Sequence, residues 1–559
     1  MVQLRSRLSE PELKKKKETN RNLLVQAITG AIKFMNELTN APSSKKTNEL
    51  VEKRIDEVVD FLTKLEETKL SEKREDERNP ETYKYLTLDE MQKETDKLLE
   101  NSLIKINWYD YVKVLFEDIR DDAADFLQSS NDLIIIQDMK QFKEVLQIFS
   151  EASQKVISRL HPLITNEKIF DSYGLVSAIW WLVVNSVSPY ATSRFQDLHY
   201  EYKTKVDENE FGPGNWQCRE LVKDQYPYLF AYMFIKDNSP DVFKQREKVD
   251  EMMTNIRAAY WDTILHSKWL DGKTKMAALA KLRNITQNVS FKDWMTDPKE
   301  IEEGYKEIVV SPKMFYNNVR SNNLTKRKQQ LRILGQDNLL SPYQNMMYPL
   351  TVNACYTPLI NAIDIPIGIL GRPRYNLGLE ALNYGAIGSV LAHEVGHAFD
   401  NMGKRYDSWG KKQRWWKKKT AEKYGEKSKC FVDFYDGIYI RQVDQKVDGH
   451  LTVDENIADF LGVQNALKAY RKYVEKYGKE KPLVDFENVS HEKLLTMAFA
   501  TQYCTNYSPS FLRFLMEKDE HSPNMARVLG TLKNTPDFAD IWSCSPDQKM
   551  NPEKKCGIW

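Results

Sequence analysis

The strongest chemical signal in the sequence is a pair of histidines four residues apart, His393 and His397, in VLAHEVGHAFD (390–400). On a helix, that spacing puts both imidazoles on one face, one turn apart. Imidazoles so placed can bind one tetrahedral zinc at about 2.0–2.1 Å. Glu394, beside His393, has the reach to act on a water held at the same metal. The chain has only eight histidines, so two at this spacing beside a glutamate are more telling than the bare pattern. A third ligand must come from elsewhere. DENIADFLG (454–462) offers Glu455 and Asp459, again four apart on one helix face. Glu455 would complete a His₂Glu set and leave a fourth position for water. Asp459 would accept the other ring N–H of a ligating histidine and so fix its tautomer. Taken alone, such a carboxylate pair is commonplace on solvated helices.

These groups need helices to position them. Before His393, NYGAIGSVL supplies Ala386, Ile387, Val390 and Leu391 as a buried helical face, and Gly403 offers a stop. Residues 1 to about 290 read as helix after helix, with a 3.6-residue period clear in LLVQAITGAIKFMNEL and DEVVDFLTKLEE. After about 300 the texture changes. Val352–Tyr356 (VNACY) and Ile363–Ile369 (IDIPIGI) read as short strands with LINA turning between them, and Pro366 suits only an edge strand or a strand end. Helical pattern returns at Asn383. The fold class expected is mainly α with a small β component, and the boundary is placed near 290–310.

The totals fit a globular protein of two to four domains, with 559 residues, 41% hydrophobic and 29% charged. Net charge is +1, which excludes wholesale binding to nucleic acid or a membrane surface. The Lys-rich stretches Lys14–Lys17 and Lys411–Lys419 are read as solvated helix faces. Leu175–Val184, the longest apolar run, is too short to span a bilayer and is expected to be a buried core helix. Six scattered cysteines without a CxxC pair exclude a zinc ribbon or a thioredoxin motif. Five N-x-S/T triplets permit secretion without showing it.

Set in order along the chain, the motifs resemble those of the neprilysin-like peptidases of family M13, of the gluzincin type. HEVGHAFD resembles the family's HExxHxFD, ENIAD its second zinc motif, VNACY its N-A-x-Y strand and HSPNMARVLGTLKN its H-S-P-x-x-x-R block. NPEKKCGIW ends the chain in C-x-x-W, as family members end. The resemblance implies a thermolysin-like catalytic domain at 301–559 and a helical covering domain at 1–300. It implies one zinc per chain on His393, His397 and Glu455, with Glu394 as general base. It further implies that Asp459 orients a ligating histidine and that Asp400 is another acceptor behind the ligands. Asn353 and Ala354 would pair with the substrate backbone. His521 would stabilise the oxyanion, and Arg527 would hold a substrate carbonyl. The implied function is a zinc endopeptidase cutting small peptides on the amino side of hydrophobic residues, extracellular or at the cell surface. The alternative is a family member that binds zinc and peptide but turns over poorly.

The sequence also departs from the family pattern. Asp454 stands where the family usually has Gly, and Cys355 fills the variable position of N-A-x-Y. Gln502 and Tyr503 stand where neprilysin has an apolar pair. By resemblance Cys430 pairs with Cys556. Cys218, Cys504 and Cys544 match cysteines whose partners lie in an N-terminal stretch not found here, and Cys355 matches none. Four free thiols are therefore expected. So is an N-terminally incomplete form, because the family's anchor or signal and the first part of its ectodomain have no counterpart.

Overall fold

The computed structural model describes residues 10–39, 55–65, 84–102, 105–116, 134–136, 139, 142–148, 150, 173–206, 215–331, 347–546 and 548–559. The chain forms two compact units, one from Met1–Leu221 with Glu307–Gln336 and one from Val222–Lys306 with Asp337–Trp559. The second unit therefore takes in a segment that lies before the boundary expected from sequence.

Among its described residues the first unit is helical apart from the antiparallel pair Lys84–Leu86 and Ile134–Ile136. The helix Leu88–Leu98 starts on a capping box, in which Thr87 accepts from the Glu90 amide while the Glu90 carboxylate accepts from the Thr87 amide. Leu24, Ile28, Val58, Val59 and Ala178 form one of its cores. The Leu175–Val184 run lies in the helix Tyr173–Val187 as expected, but of its described side chains only Ala178 is buried. Trp180 is 63% exposed, and Ile179, Leu182 and Val183 are exposed with it. Ala178 meets the core, whereas a helix apolar all round would need partners on every side to be buried.

The second unit holds a three-stranded sheet and a helical core. Strand Ala362–Pro366 is central, parallel to Thr286–Ser290 and antiparallel to Cys355–Thr357. Pro366 falls at the strand end, where its missing N–H costs the ladder least. The expected LINA turn is a 3₁₀ turn at Pro358–Ile360 closed by Asn361 at φ 48°, and its Ala362 already belongs to the central strand. Pairing begins at Cys355, so Asn353 and Ala354 lie just ahead of the strand. Cys355–Thr357 is an edge strand of this sheet.

Two helices form the heart of this unit. The shorter, Ser389–His397, is entered through a five-residue π-helical stretch, Tyr384–Gly388, buried throughout. Such bulges frequently mark functional sites. The longer, Gly449–Tyr477, is capped by Asp448, whose side chain accepts from the Leu451 amide, and it stops at Gly478, φ 85°. The two cross closely at Gly462. A Cβ there would lie 2.7 Å from the Ser389 carbonyl oxygen and 3.2 Å from the His393 Cβ. Any larger residue would push the helices, and the groups they carry, apart. The disulfide Cys430–Cys556 ties the chain end to the helix Lys418–Asp436, with 5.6 Å between Cα atoms. Cys218, Cys355, Cys504 and Cys544 are free.

Candidate metal centre

The short helix presents His393 and His397 one turn apart, and the long helix brings Glu455 to them. One ligand atom from each lies within 4.8 Å of the other two. His393 Nε2 is 3.2 Å from Glu455 Oε2, and His397 Nε2 is 3.5 Å from Glu455 Oε1. The far side of each ring is fixed by a carboxylate. His393 Nδ1 is 2.9 Å from Asp459 Oδ1, and His397 Nδ1 is 2.7 Å from Asp400 Oδ2. Each carboxylate accepts a hydrogen bond from Nδ1–H, so the neutral rings keep their protons on Nδ1. Both Nε2 lone pairs are then bare and face each other at 2.9 Å. Two bare lone pairs that close repel unless a cation lies near them. Glu455 Oε2 is also buried without a hydrogen bond of normal geometry, the neighbouring ring nitrogens lying off its line. Two neutral imidazoles and a carboxylate match the donor set of a three-ligand zinc site, and the orphaned oxygen and facing nitrogens fit one.

The electrostatics agree. Burial alone would raise the Glu455 carboxyl, yet His397, His521 and His393 hold it well below the ordinary carboxylate range. Burial and His397 push the His393 pKa down, but Asp459 and Glu455 outweigh them and leave it raised. His397 is raised further, as Glu455 and Asp400 overcome its burial. The pocket draws positive charge, whether it comes as protons or as a metal ion.

Behind the ligands the supports are buried too. Arg527 grips Asp459 with a two-pronged pair, Nε to Oδ2 and Nη2 to Oδ1, both 2.7 Å. Burial would raise the Asp459 carboxyl, but Arg527 and His393 hold it far below the usual range. Arg527 also lies over the Tyr503 ring, 4.8 Å from its centre. Asp400 takes the Gly403 amide at 2.6 Å as well as the His397 ring, so the chain turns straight after His397 and the helix ends before Gly403.

Glu394 differs from these groups. Its residue is only 5% exposed, yet its carboxylate makes no hydrogen bond or ion pair among the described residues. His521 Nε2 stands 3.1 Å from Glu455 Oε2, with its Nδ1 2.8 Å from Asp519. Burial lowers the His521 pKa, but Glu455 and Asp519 raise it to about 10. Asn353 is exposed and Ala354 buried at the head of the edge strand.

Several supports are not legible as motifs. Tyr260 donates to the Ala392 carbonyl at 2.6 Å, pinning the helix beside His393. Lys281, fully buried, donates to the Gly403 and Tyr406 carbonyls at 2.6 and 2.8 Å and braces the turn that carries Asp400. Ser522 donates to Asn456 at 2.8 Å, fastening the His521 segment beside Glu455. Asp454 accepts from the Asn401 amide and side chain at 3.0 and 2.7 Å, which gives its departure from Gly a local role. Ser522 and Asp454 stand inside or beside quoted motifs, but nothing in sequence says what they touch, and the signal for Asp519 is its place two residues before His521.

Residues 4–292 match the N-terminal model of Peptidase family M13, and residues 353–558 match its catalytic model. An endothelin-converting enzyme homolog of Locusta migratoria is 32% identical over 385 residues, 68% of this chain and 51% of the relative. Neprilysin-1 of Caenorhabditis elegans is 29% identical over 66% of this chain and 48% of its own length. Human endothelin-converting enzyme 1 is 26% identical over 96% of this chain and 64% of the relative. The chain spans about half the length of the first two. Among solved structures, the Mycobacterium tuberculosis zinc metalloprotease Zmp1 with inhibitor superposes with a TM-score of 0.74 at 21% identity, covering 96% of this chain and 74% of that one. PepO from Lactobacillus rhamnosis gives 0.68 at 18% identity, over 98% and 75%. These likenesses show the fold, mainly helical with few strands. By its family-model matches, the chain belongs to the neprilysin-like peptidases of family M13.

Proposed function

We propose that this protein is a zinc endopeptidase acting on small peptides. The observation that carries the reading is the pair of bare Nε2 atoms 2.9 Å apart beside the orphaned Glu455 oxygen, with an unengaged Glu394 one residue from His393. His393, His397 and Glu455 would hold the zinc. When bound, zinc polarises a peptide carbonyl and lowers the pKa of its water toward about 7. Glu394 takes a proton from the attacking water at its free carboxylate. The water oxygen bonds to the carbonyl carbon, and His521 donates from Nε2 to the developing oxyanion. The C–N bond then breaks as Glu394 passes its proton to the leaving nitrogen. Arg527 spends Nε and Nη2 on Asp459, and its Nη1 makes no hydrogen bond among the described residues, leaving it for a substrate carbonyl. Asn353 and Ala354 extend the free edge of the sheet, where a substrate backbone would add as a strand. All these groups lie between Asn353 and Arg527, within the proposed catalytic stretch 301–559.

Cleavage on the amino side of hydrophobic residues is proposed from the family resemblance. An extracellular or cell-surface location is proposed on the same ground, supported by the Cys430–Cys556 disulfide, since such bonds persist in oxidising compartments. Among the described residues, no helix is long and apolar enough to cross a membrane. Hydrolysis of a short fluorogenic peptide, with and without a chelator, tests the reading. Turnover should vanish with chelator and return with added zinc. Zinc-loaded protein that binds the peptide without cutting it would replace the enzyme with a peptide-binding relative.

A further inference from the structure

Beyond the candidate metal centre, residues 405–423 of the second unit, with Leu359 packed against them, combine exposed cations that have no ion pair among the described residues with exposed apolar side chains. Residues 405–413 form a hairpin closed by the Tyr406–Lys412 bridge and by the Gln413 amide on the Arg405 carbonyl at 2.9 Å. Trp409 sits at its tip, 80% exposed. The next residue, Gly410, packs so closely on Leu359 that a Cβ would lie 2.0 Å from the Leu359 carbonyl oxygen. The Leu359 side chain is itself 56% exposed. The base of the hairpin is tied to the unit by two tryptophans. Trp415 donates to the Tyr406 carbonyl at 3.0 Å, and Trp416 packs edge-on against buried Tyr424.

The helix Lys418–Asp436 follows directly, and its start runs against the helix dipole. Its N-cap is Lys417, without a side-chain cap, and its first turn holds no acid. Lysines at the positive end of a helix destabilise it, and an anion there relieves the strain. Asp271 answers Lys417 at 3.4 Å. Lys411, Arg414, Lys418, Lys419 and Lys423 are all exposed and have no ion pair among the described residues. Glu422 is the one acid between 411 and 423. Asp407 is occupied by the Trp409 and Lys411 amides, both at 2.9 Å.

We propose that this face docks on an anionic lipid surface, with Trp409 and Leu359 entering the interface and the five unpaired cations lying over the headgroups. Amphipathic tryptophan and basic residues together suit a bilayer boundary. An exposed leucine beside them favours lipid over a hydrated polyanion such as a sulfated glycan. The net charge of +1 excludes attraction by the whole molecule, so the effect must be local.

The test is cosedimentation of the full chain with vesicles of phosphatidylcholine alone and of phosphatidylcholine and phosphatidylserine in equal parts. Binding is expected to the mixed vesicles only, and should weaken as salt rises. The exchange Lys418→Gln with Lys419→Gln should lower partitioning about 25-fold, roughly fivefold per lysine. Trp409→Ala should lower it further while peptide hydrolysis stays unchanged in every variant. Equal partitioning to both vesicle types would overturn the proposal. So would retention on immobilised heparin without vesicle binding, which would assign the patch to a polysaccharide, or vesicle binding indifferent to Trp409.

Discussion

The two sides of the candidate metal centre are built differently. On one side His393, His397, Glu455, Asp459 and Asp400 come from two packed helices and the turn after one of them, and each side chain is held by another. On the other side Glu394 has no hydrogen bond among the described residues, Asn353 is exposed ahead of a short edge strand, and the His521 side chain is 44% exposed. A metal must be gripped in one geometry, which calls for buried, mutually fixed donors. Under the proposed function a substrate must enter, react and leave, so the groups proposed to meet it stay unsatisfied until it arrives. The contrast predicts that damage to the first side shows in metal affinity, and damage to the second in turnover.

The sharpest break of the comparison is Glu394→Gln. Turnover should fall by about 10²–10⁴, the usual span for a general acid–base group, with zinc content intact. Lost zinc would move Glu394 to the gripping side. Next, His521→Gln should lower kcat by about 10²–10³, the typical cost of an oxyanion donor, without changing metal affinity. Competition with a chromophoric chelator measures the second half. A smaller effect of opposite kind is expected from Asp459→Asn, a loss of about 10–100-fold in zinc affinity. Asp400→Asn should cost less than Asp459→Asn, because the latter also leaves the Arg527 guanidinium buried without its carboxylate. Equal losses would mean that Arg527 adds nothing to the grip. The smallest change should come from Asp454→Gly, which removes two hydrogen bonds to Asn401 at a cost of about 1–2 kcal/mol, read from denaturant midpoints.

The same contrast explains what could be read from the residues alone. His393, His397, Glu455 and Asp459 are spaced by the helix repeat, so a local pattern carries their geometry. Pro366 restricted its own strand to an end or an edge, and the structure places it at the end. Tyr260 and Lys281 reach the site from 132 and 122 residues away in sequence. Nothing in their neighbourhoods announces a target. Gly403 looked like a helix stop, but Asp400 turns the chain earlier by taking both the His397 ring and the Gly403 amide. The Leu175–Val184 helix failed differently. Apolar residues signal what a helix would bury, and only the tertiary arrangement says whether a partner is there.

Zinc stoichiometry by elemental analysis of Glu455→Ala, beside Glu394→Gln and the parent chain, tests the central claim most directly. About one zinc per chain is expected in the parent and in Glu394→Gln, and little in Glu455→Ala, with all three folded by circular dichroism. Full zinc in folded Glu455→Ala would remove the long helix from the metal site and contradict the account.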